Sequence, residues 1–361
     1  VKNIDVDLIL VGFGNVGRRF ARLVQERHDV LARQHGLACR VIGIATRSHG
    51  IAFNPSGLDL SQALTLVEGG GSLAKLRGNV RTGLHETLGS AAELIEQATH
   101  CSEDNRAQVM VETTVLDIER GQPAIDHVRK ALRGGAHVVT ANKGPVAFAY
   151  RALDEFAAAL GRSFLFEGAV MDGIPIFNLV RETLPAVRIE GFRGIVNSTT
   201  NHILTEMECG RTFAEALAAM QAAGIAEADA SLDIDGWDAA TKTAALLNVL
   251  LKADLRPGDI ERTGIRDVTP GMLEDAIRRG RRLRLVATGG SADGKAFGKV
   301  ALERVPADDV LAGLRGMQNG LVLRTDLLEE VAIVQLSGGL TQTAYALLAD
   351  LVTIRRRLSN S

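Results

Sequence analysis

The sequence predicts an α/β protein: a doubly wound parallel sheet followed by a second, α+β unit built on a mixed sheet. Three observations carry that reading. The N-terminal part alternates short apolar runs with amphipathic stretches, as chains of β-α-β units do. Its first apolar run, Asp7 to Val11, ends on a glycine-rich turn, Gly12-Phe-Gly14-Asn-Val-Gly17. From Phe164 onward, strand-like segments follow one another across turns instead of taking one helix each.

Taken in order, Asp7 to Val11 reads as a buried parallel strand, because it is short, apolar and stopped by glycine. Val16 to Arg33 reads as a helix, and Arg40 to Ala45 as a second strand. The polar, glycine-containing stretch 62–107 is expected to be helix and loop inserted before the third strand, Val109 to Glu112. Ala124 to Arg133 is a helix and His137 to Thr140 a fourth strand. In the second unit the runs FLFEGAV from Phe164, VRIEGFRGIV from Val187, RLVATG from Arg284, GKVALERV from Gly298 and LEEVAIVQL from Leu328 are expected to form the mixed sheet. Helices are expected at Thr212 to Ala223, Trp237 to Lys252 and Pro270 to Arg281. A last amphipathic helix, Gln342 to Arg357, is expected to return to the first domain. The expected domains are therefore residues 1–155 together with 340–361, and 156–339. No internal repeat or low-complexity linker is visible.

Composition sets limits. The chain has 361 residues, 46% hydrophobic and 23% charged, enough for two or three cores. A net charge of -2 gives no field for nucleic acid or an acidic membrane surface. The basic runs RRGRRLRL from Arg278 and RRR from Arg355 read as solvated helix faces. Cys39, Cys101 and Cys209 are odd in number and form no C-x-x-C, which fits a reducing compartment. The N-terminal run carries acids inside its apolar stretch, unlike a signal peptide. No apolar run approaches the ~18 residues a bilayer span needs. A cytoplasmic protein without nucleic-acid or membrane partners is expected.

The glycine turn fits G-x-G-x-x-G between a strand and a helix. Gly12 permits the tight turn, Gly14 lets backbone approach a pyrophosphate, and Gly17 lets helix pack on strand. The helix N-terminus then faces the phosphates. This is the pattern of a Rossmann-type dinucleotide site. The second strand runs into Thr46-Arg47-Ser48, with no acid to take a ribose 2′-hydroxyl. Arg47 instead suits a 2′-phosphate, so NADP is expected and NAD stays open. Thr113 and Thr114 after the third strand, and Asn142 and Lys143 after the fourth, stand at strand carboxyl ends, where ligands bind in open α/β sheets.

The stretch AEADASLDIDGWDAATK holds Glu227, Asp229, Asp233, Asp235 and Asp238 ahead of Lys242. Read as an EF-hand loop with Gly236 at the sharp turn, it begins on Ser231 and closes on Lys242, where a bidentate glutamate is needed; a cation there repels the metal. Read as a helix from Trp237, it carries Lys242 as its lone charge between Ala239 and Leu251. Such a helix is buried. Asp238 and Lys242 stand at i and i+4, which is either a surface salt bridge or a catalytic pair. A desolvated lysine is suited to proton transfer, and the acids upstream, Glu227 and Asp233, are suited to a substrate ammonium.

Four motifs in this order, GFGNVG, TANKGP after the fourth strand, NSTTNHIL from Asn197, and AGIAEADASLDIDGWDAATK, resemble homoserine dehydrogenase over nearly the whole chain. The resemblance implies a nucleotide-binding domain, a dimerisation sheet with a catalytic region, and a homodimer. It implies interconversion of L-homoserine and L-aspartate 4-semialdehyde with NAD(P). Lys242 would be the acid–base residue and Lys143 would orient substrate beside the nicotinamide. Glu227, Asp233, Asp238 and Thr199 would bind substrate; Phe13, Asn15, Val16, Gly224 and Gly339 would line the cofactor. Glu167 with the backbone at Val170, Asp172 and Ile174 resembles a monovalent-cation loop that would hold sodium. The chain departs from the family at Ser198, where glycine is usual, at Gln335 in a thinned glycine-rich run ending Ser337-Gly-Gly339, and at Asp172. These departures favour one alternative, a family dehydrogenase for a related amino or hydroxy acid; a non-catalytic NADPH-binding sensor is another, against which the pair of Lys143 and Lys242 argues. Neither a C-terminal regulatory domain nor a preceding kinase segment is expected.

Overall fold

The protein is described by a computed structural model covering residues 3–76, 88–101, 106–222 and 229–359. Its elements, in chain order, are β1 (Ile4–Val11), α1 (Asn15–Glu26), α2 (His28–His35), β2 (Leu37–Ala45), β3 (Ile51–Phe53), α3 (Leu60–Glu68), α4 (Ala91–His100), β4 (Arg106–Glu112), α5 (Ala124–Arg133), β5 (His137–Thr140), α6 (Lys143–Ala159) and β6 (Phe164–Leu165). There follow α7 (Ile176–Asn178), β7 (Ile189–Ile195), α8 (Ser198–Glu208), α9 (Phe213–Ala222), α10 (Ser231–Ile234), α11 (Trp237–Leu250), β8 (Glu261–Arg262), α12 (Pro270–Arg278), β9 (Arg281–Ala292), β10 (Lys295–Pro306), β11 (Asn319–Thr325), β12 (Glu329–Gln335) and α13 (Leu340–Ser359). Contacts divide the chain into a first unit of residues 1–145, 151–173 and 339–361, and a second of 146–150 and 174–338.

In the first unit the sheet order is β3-β2-β1-β4-β5-β6. All pairings are parallel except β2 with β3, an antiparallel edge. The central strand β1 is buried from Val6 to Val11, as a strand covered on both faces must be. It nonetheless contains Asp7, 1% exposed, whose carboxylate accepts from Arg40 on β2 and Arg106 on β4 at 2.8–2.9 Å. The acid that breaks the apolar run is thus paired across three strands. Phe20, Ala21, Leu23 and Val24 of α1 share one core with Ala344, Leu347, Leu348, Leu351 and Ile354 of α13.

Two readings of this unit are corrected. The helix read as Val16 to Arg33 is two helices, broken at Arg27 (φ -106°, ψ 8°). The run from Phe164, expected in the second sheet, pairs with β5 in the first.

In the second unit the order is β12-β11-β7-β9-β10-β8, antiparallel except for β10 with β8. The floor under α11 is a cross-strand glycine pair, Gly289 opposite Gly298. A Cβ on either would stand within 2.9 Å of a Leu247 methyl, so the pair brings the helix down onto the sheet. Gly236 (φ +80°) turns α10 into α11, and a Cβ there would meet Thr263 O at 2.9 Å. Both the conformation and the space demand glycine.

Candidate active site

In the first unit, each glycine of the turn is used differently. Gly12 has φ +92° and a Cβ would lie 2.6 Å from the Thr113 carbonyl carbon; on Gly17 it would lie 2.5 Å from Gly12 O. These two are fixed by the turn and by helix–strand packing. Gly14 has an ordinary φ of -73° and a Cβ there would meet nothing within 4 Å. The protein itself leaves that space open at the helix N-terminus, so the turn fits a dinucleotide pyrophosphate. The first turn of α1 has no side-chain cap and no acid to oppose an anion. Phe13 is buried while Asn15 and Val16 open the helix; Asn15 Oδ1 and Phe13 O accept from Arg18. Arg47 is exposed in the turn after β2, a turn closed by Thr46 hydrogen-bonding to Gly50 O and His49 N.

At the carboxyl ends of β4 and β5 a polar network sets the loops. Glu112, wholly buried, accepts from Thr114 N at 3.2 Å, from the Thr114 hydroxyl and from Thr140 Oγ1 at 3.2 Å. Thr113 Oγ1 donates to Gly12 O, tying this loop to the glycine turn. Asn142 donates to Thr114 O at 3.1 Å while its Oδ1 caps α6 through Gly144 N at 2.8 Å. Lys143 is the first residue of that helix.

The expected cation loop divides in character. Glu167 is 3% exposed, and its N–H donates to the carboxylate of Asp350, itself 1% exposed on α13. Val170 is buried; Asp172 has φ +47° and its carboxylate accepts from Thr343 Oγ1 at 2.9 Å. Ile174 begins the second unit. Among the described residues, no group of three or more His, Cys, Asp or Glu side chains is arranged to hold a metal. Gly339 (φ +151°) leads into α13, where its carbonyl accepts from Thr343.

The second unit brings the carboxylates and the lysine together. Lys242 Nζ lies 2.8 Å from Asp238 Oδ2 and donates to Val196 O at 2.7 Å. The two side chains are 13% and 16% exposed. Around them α11 is apolar, with Ala239, Ala240, Ala244, Ala245, Leu246 and Leu247 buried. Asn197, 4% exposed, completes the cluster. Its Nδ2 donates to Asp233 at 2.7 Å and to Asp238 at 2.8 Å, and its Oδ1 caps α8 through Thr200 N at 2.8 Å. One amide therefore holds two carboxylates side by side and starts the helix that carries Ser198 and Thr199. Asn201, one turn on, donates to the carbonyls of Leu314, Gly316 and Gln318 and fixes α8 against that loop.

Asp238 and Lys242 thus meet as their i, i+4 spacing implies, and Asp233 joins them through Asn197. Asn197 is a site residue that the reading from spacing gave no role. Its signal was present: an asparagine ahead of a helical run is a cap. Its second function, across to α10 and α11, has no local signature. Glu227 and Gly224 lie outside the described residues.

Both parts of the chain match known proteins. A family model for the NAD-binding domain of homoserine dehydrogenase matches residues 12–167, and the homoserine dehydrogenase model matches 175–352. The chain belongs to the homoserine dehydrogenase family. The NAD(+)-dependent homoserine dehydrogenase of Pseudomonas canavaninivorans is 34% identical over 98% of this chain and 97% of the relative. The homoserine dehydrogenase of Methanocaldococcus jannaschii is 36% identical over 97% of this chain and 98% of the relative. The solved structure of a putative homoserine dehydrogenase from Archaeoglobus fulgidus superposes with TM-score 0.81 at 29% identity, covering 98% of this chain and 99% of that one. A hyperthermophilic archaeal homoserine dehydrogenase in complex with NADPH gives TM-score 0.79 at 30% identity, covering 98% of each chain. The first unit thus carries the family's NAD-binding domain. No helix among the described residues is long and apolar enough to cross a membrane.

Proposed function

We propose that this chain interconverts L-homoserine and L-aspartate 4-semialdehyde, with NADP preferred and NAD accepted, and with Lys242 as the acid–base residue. The observation that carries the proposal is the placement of Lys242: a lysine on an apolar helix, 2.8 Å from Asp238, whose carboxylate Asn197 holds beside that of Asp233. The nicotinamide, when bound, supplies the hydride acceptor or donor. Lys242 Nζ, neutral, takes the proton of the substrate hydroxyl during oxidation; as ammonium it returns that proton to the oxygen during reduction. Asp233 and Asp238 concentrate negative charge for the substrate's α-ammonium, which orients the reacting carbon; the family resemblance gives Glu227 a part in binding the substrate. Lys143 orients the substrate at the nicotinamide, and Arg47 takes the 2′-phosphate of NADP.

Three further parts of the reading rest on the family. Glu167 and the backbone at Val170, Asp172 and Ile174 hold a monovalent cation such as sodium. The second unit's sheet pairs with a second copy in a homodimer. The protein works in the cytoplasm. A second reading, a dehydrogenase for a related amino or hydroxy acid, is favoured by one observation: the hydroxyl of Ser198 stands where family members usually have glycine, held by Asn319 at 2.8 Å. The deciding experiment is initial-rate absorbance at the nicotinamide band with L-homoserine and either NADP+ or NAD+, with sodium and potassium compared. Turnover is expected, faster with NADP+. Saturable NADPH binding without turnover would replace the proposal with the related-substrate or sensor reading.

A further inference from the structure

Ser198 and Gln335 are distant in sequence, and both depart from the residue the family commonly has. The second unit's sheet joins them through one side chain. Strands β12, β11 and β7 are neighbours. Asn319, first in β11, is opposite Gln335, last in β12. The next residue, Gly320, is opposite Ile195, last in β7. The chain leaves β7 through Val196 and Asn197 into Ser198, so Asn319 lies between Ser198 and Gln335. Its Nδ2 donates to Ser198 Oγ at 2.8 Å and to Gln335 Oε1 at 3.4 Å. Asn319 is 2% exposed, and its Oδ1 is buried with no hydrogen-bond partner.

These bonds orient the serine. The Asn319 amide turns its nitrogen toward both Gln335 Oε1 and Ser198 Oγ. Ser198 Oγ is therefore an acceptor on its buried side, and its own proton is directed to another acceptor. Ser198 is itself partly exposed, as the first residue of α8. The cap Asn197 covers Thr200 N, while the N–H groups of Ser198 and Thr199 stand ahead of any intrahelical carbonyl. Two backbone donors and one hydroxyl thus gather at the positive end of an 11-residue helix. Beside them, the amide of Asn197 holds Asp233 and Asp238. A donor pole next to a carboxylate pole matches the carboxylate and ammonium of an α-amino acid.

We propose that Ser198 is a specificity-determining residue that donates its hydroxyl to the substrate's α-carboxylate, and that Asn319 and Gln335 are positioning residues acting through it. The proposal rests on the reading of this site as one for an amino-acid substrate. Here a side-chain donor is added to the backbone donors of the helix end and held from behind by Asn319.

The test uses the full chain. Ser198→Ala is expected to raise KM for L-homoserine about tenfold, the scale of a hydrogen bond to a charged group, with kcat within about threefold. Ser198→Thr, which keeps the hydroxyl, is expected to stay near wild type. Asn319→Leu is expected to raise KM in the same direction; Gln335→Met replaces it if circular dichroism shows that variant unfolded. Competitive inhibitors separate recognition from packing. In Ser198→Ala the inhibition constant of L-2-aminobutyrate, which has ammonium and carboxylate, should rise about tenfold. That of 1-propylamine, ammonium alone, should not move. Equal shifts for both inhibitors, or no shift for either, overturn the proposal. Should the wild type fail to oxidise homoserine, that reading falls by itself. Calorimetric binding of L-2-aminobutyrate then decides the present one: weaker binding to Ser198→Ala supports it, and equal binding, or none to either protein, overturns it.

Discussion

Replacing Lys242 by alanine separates its chemical role from its structural one. In the structure the contacts of Nζ include Asp238 at 2.8 Å and Val196 O at 2.7 Å, with 13% of the side chain exposed. Truncation leaves Asp238 its bond from Asn197 Nδ2, at 2.8 Å, so the carboxylate is not stranded. The stability cost is then on the order of one charge-assisted hydrogen bond, about 1.5–3 kcal/mol. The catalytic cost is larger. Loss of a positioned acid–base group slows reactions about 10²–10⁴-fold, which is about 3–5 kcal/mol in the barrier. The assay is the initial rate at saturating homoserine and NADP+, with NADPH affinity measured separately and melting as a control. Turnover is expected to fall at least ~100-fold while cofactor affinity stays within about twofold, since the glycine turn lies in the other unit. Lys242→Arg sharpens the test. Arginine keeps the charge near Asp238 but does not give up its proton in a protein, so it is expected to fold like wild type and to be as slow as alanine. Turnover within tenfold of wild type in either variant refutes the acid–base role.

Arg47→Ala is expected to weaken NADP at least tenfold and NAD less than threefold, the scale of one charged hydrogen bond to a phosphate; equal effects in a binding titration would make Arg47 a plain loop residue. Arg284, in the basic run expected on a solvated helix face, lies instead in strand β9, wholly buried; its guanidinium meets Glu208 at 2.7 Å, with further bonds to Leu283 O and Ala312 O. Glu208→Ala strands that cation and should cost about 3–5 kcal/mol in urea unfolding, whereas Glu208→Leu combined with Arg284→Met should recover most of it; a small loss in the single variant would sink the argument. His137 has its pKa lowered from 6.5 to about 4, first by burial and then by Arg162 and Arg357. Its Nδ1 accepts from Ser163 N at 3.0 Å, a bond only the unprotonated nitrogen can make. The folded state therefore binds this proton less readily than the unfolded chain. Stability contributed by neutral His137 is complete above about pH 6.5 and is lost as pH falls from there toward 4, up to about 3 kcal/mol. His137→Gln, which keeps an acceptor, should flatten unfolding free energy across that window; an unchanged slope would assign the pH dependence elsewhere.

Much of the fold was legible where local signals agree with burial. The helix Ala124–Arg133 begins behind Pro123 and stops at Gly134, and the strand His137–Thr140 is a short apolar run; both have their expected bounds. The unread parts are those whose identity is set by partners. Ile51–Phe53 is a three-residue edge strand that exists through its pairing with Gly43–Ala45. Phe164–Leu165 looks like any apolar run until β5 lies beside it, and β11 was not read as a strand although four of its seven residues are Leu, Val, Leu and Thr. The break at Arg27 has no glycine or proline to announce it. At the site, Asp238 and Lys242 were legible because their spacing is local to one helix. The bridging roles of Asn197 and Asn319 were not, because their partners come from other elements: α10 and α11 for Asn197, α8 and β12 for Asn319.

The energetics of that helix argue for function over structure. Desolvating an ammonium costs several kcal/mol unless it is paired. An alanine at 242 would continue the apolar surface of α11, which packs on the glycine pair of β9 and β10. The chain instead places a lysine there, opposes it with Asp238, caps it with a backbone carbonyl, and then sets Asp233 beside Asp238 through the amide of Asn197. Two adjacent carboxylates repel each other, so this arrangement adds a second cost to the first. Neither cost stabilises the fold. Both are explained together if the cluster is built to receive a further positive charge and to pass a proton, which is what an amino alcohol brings to it.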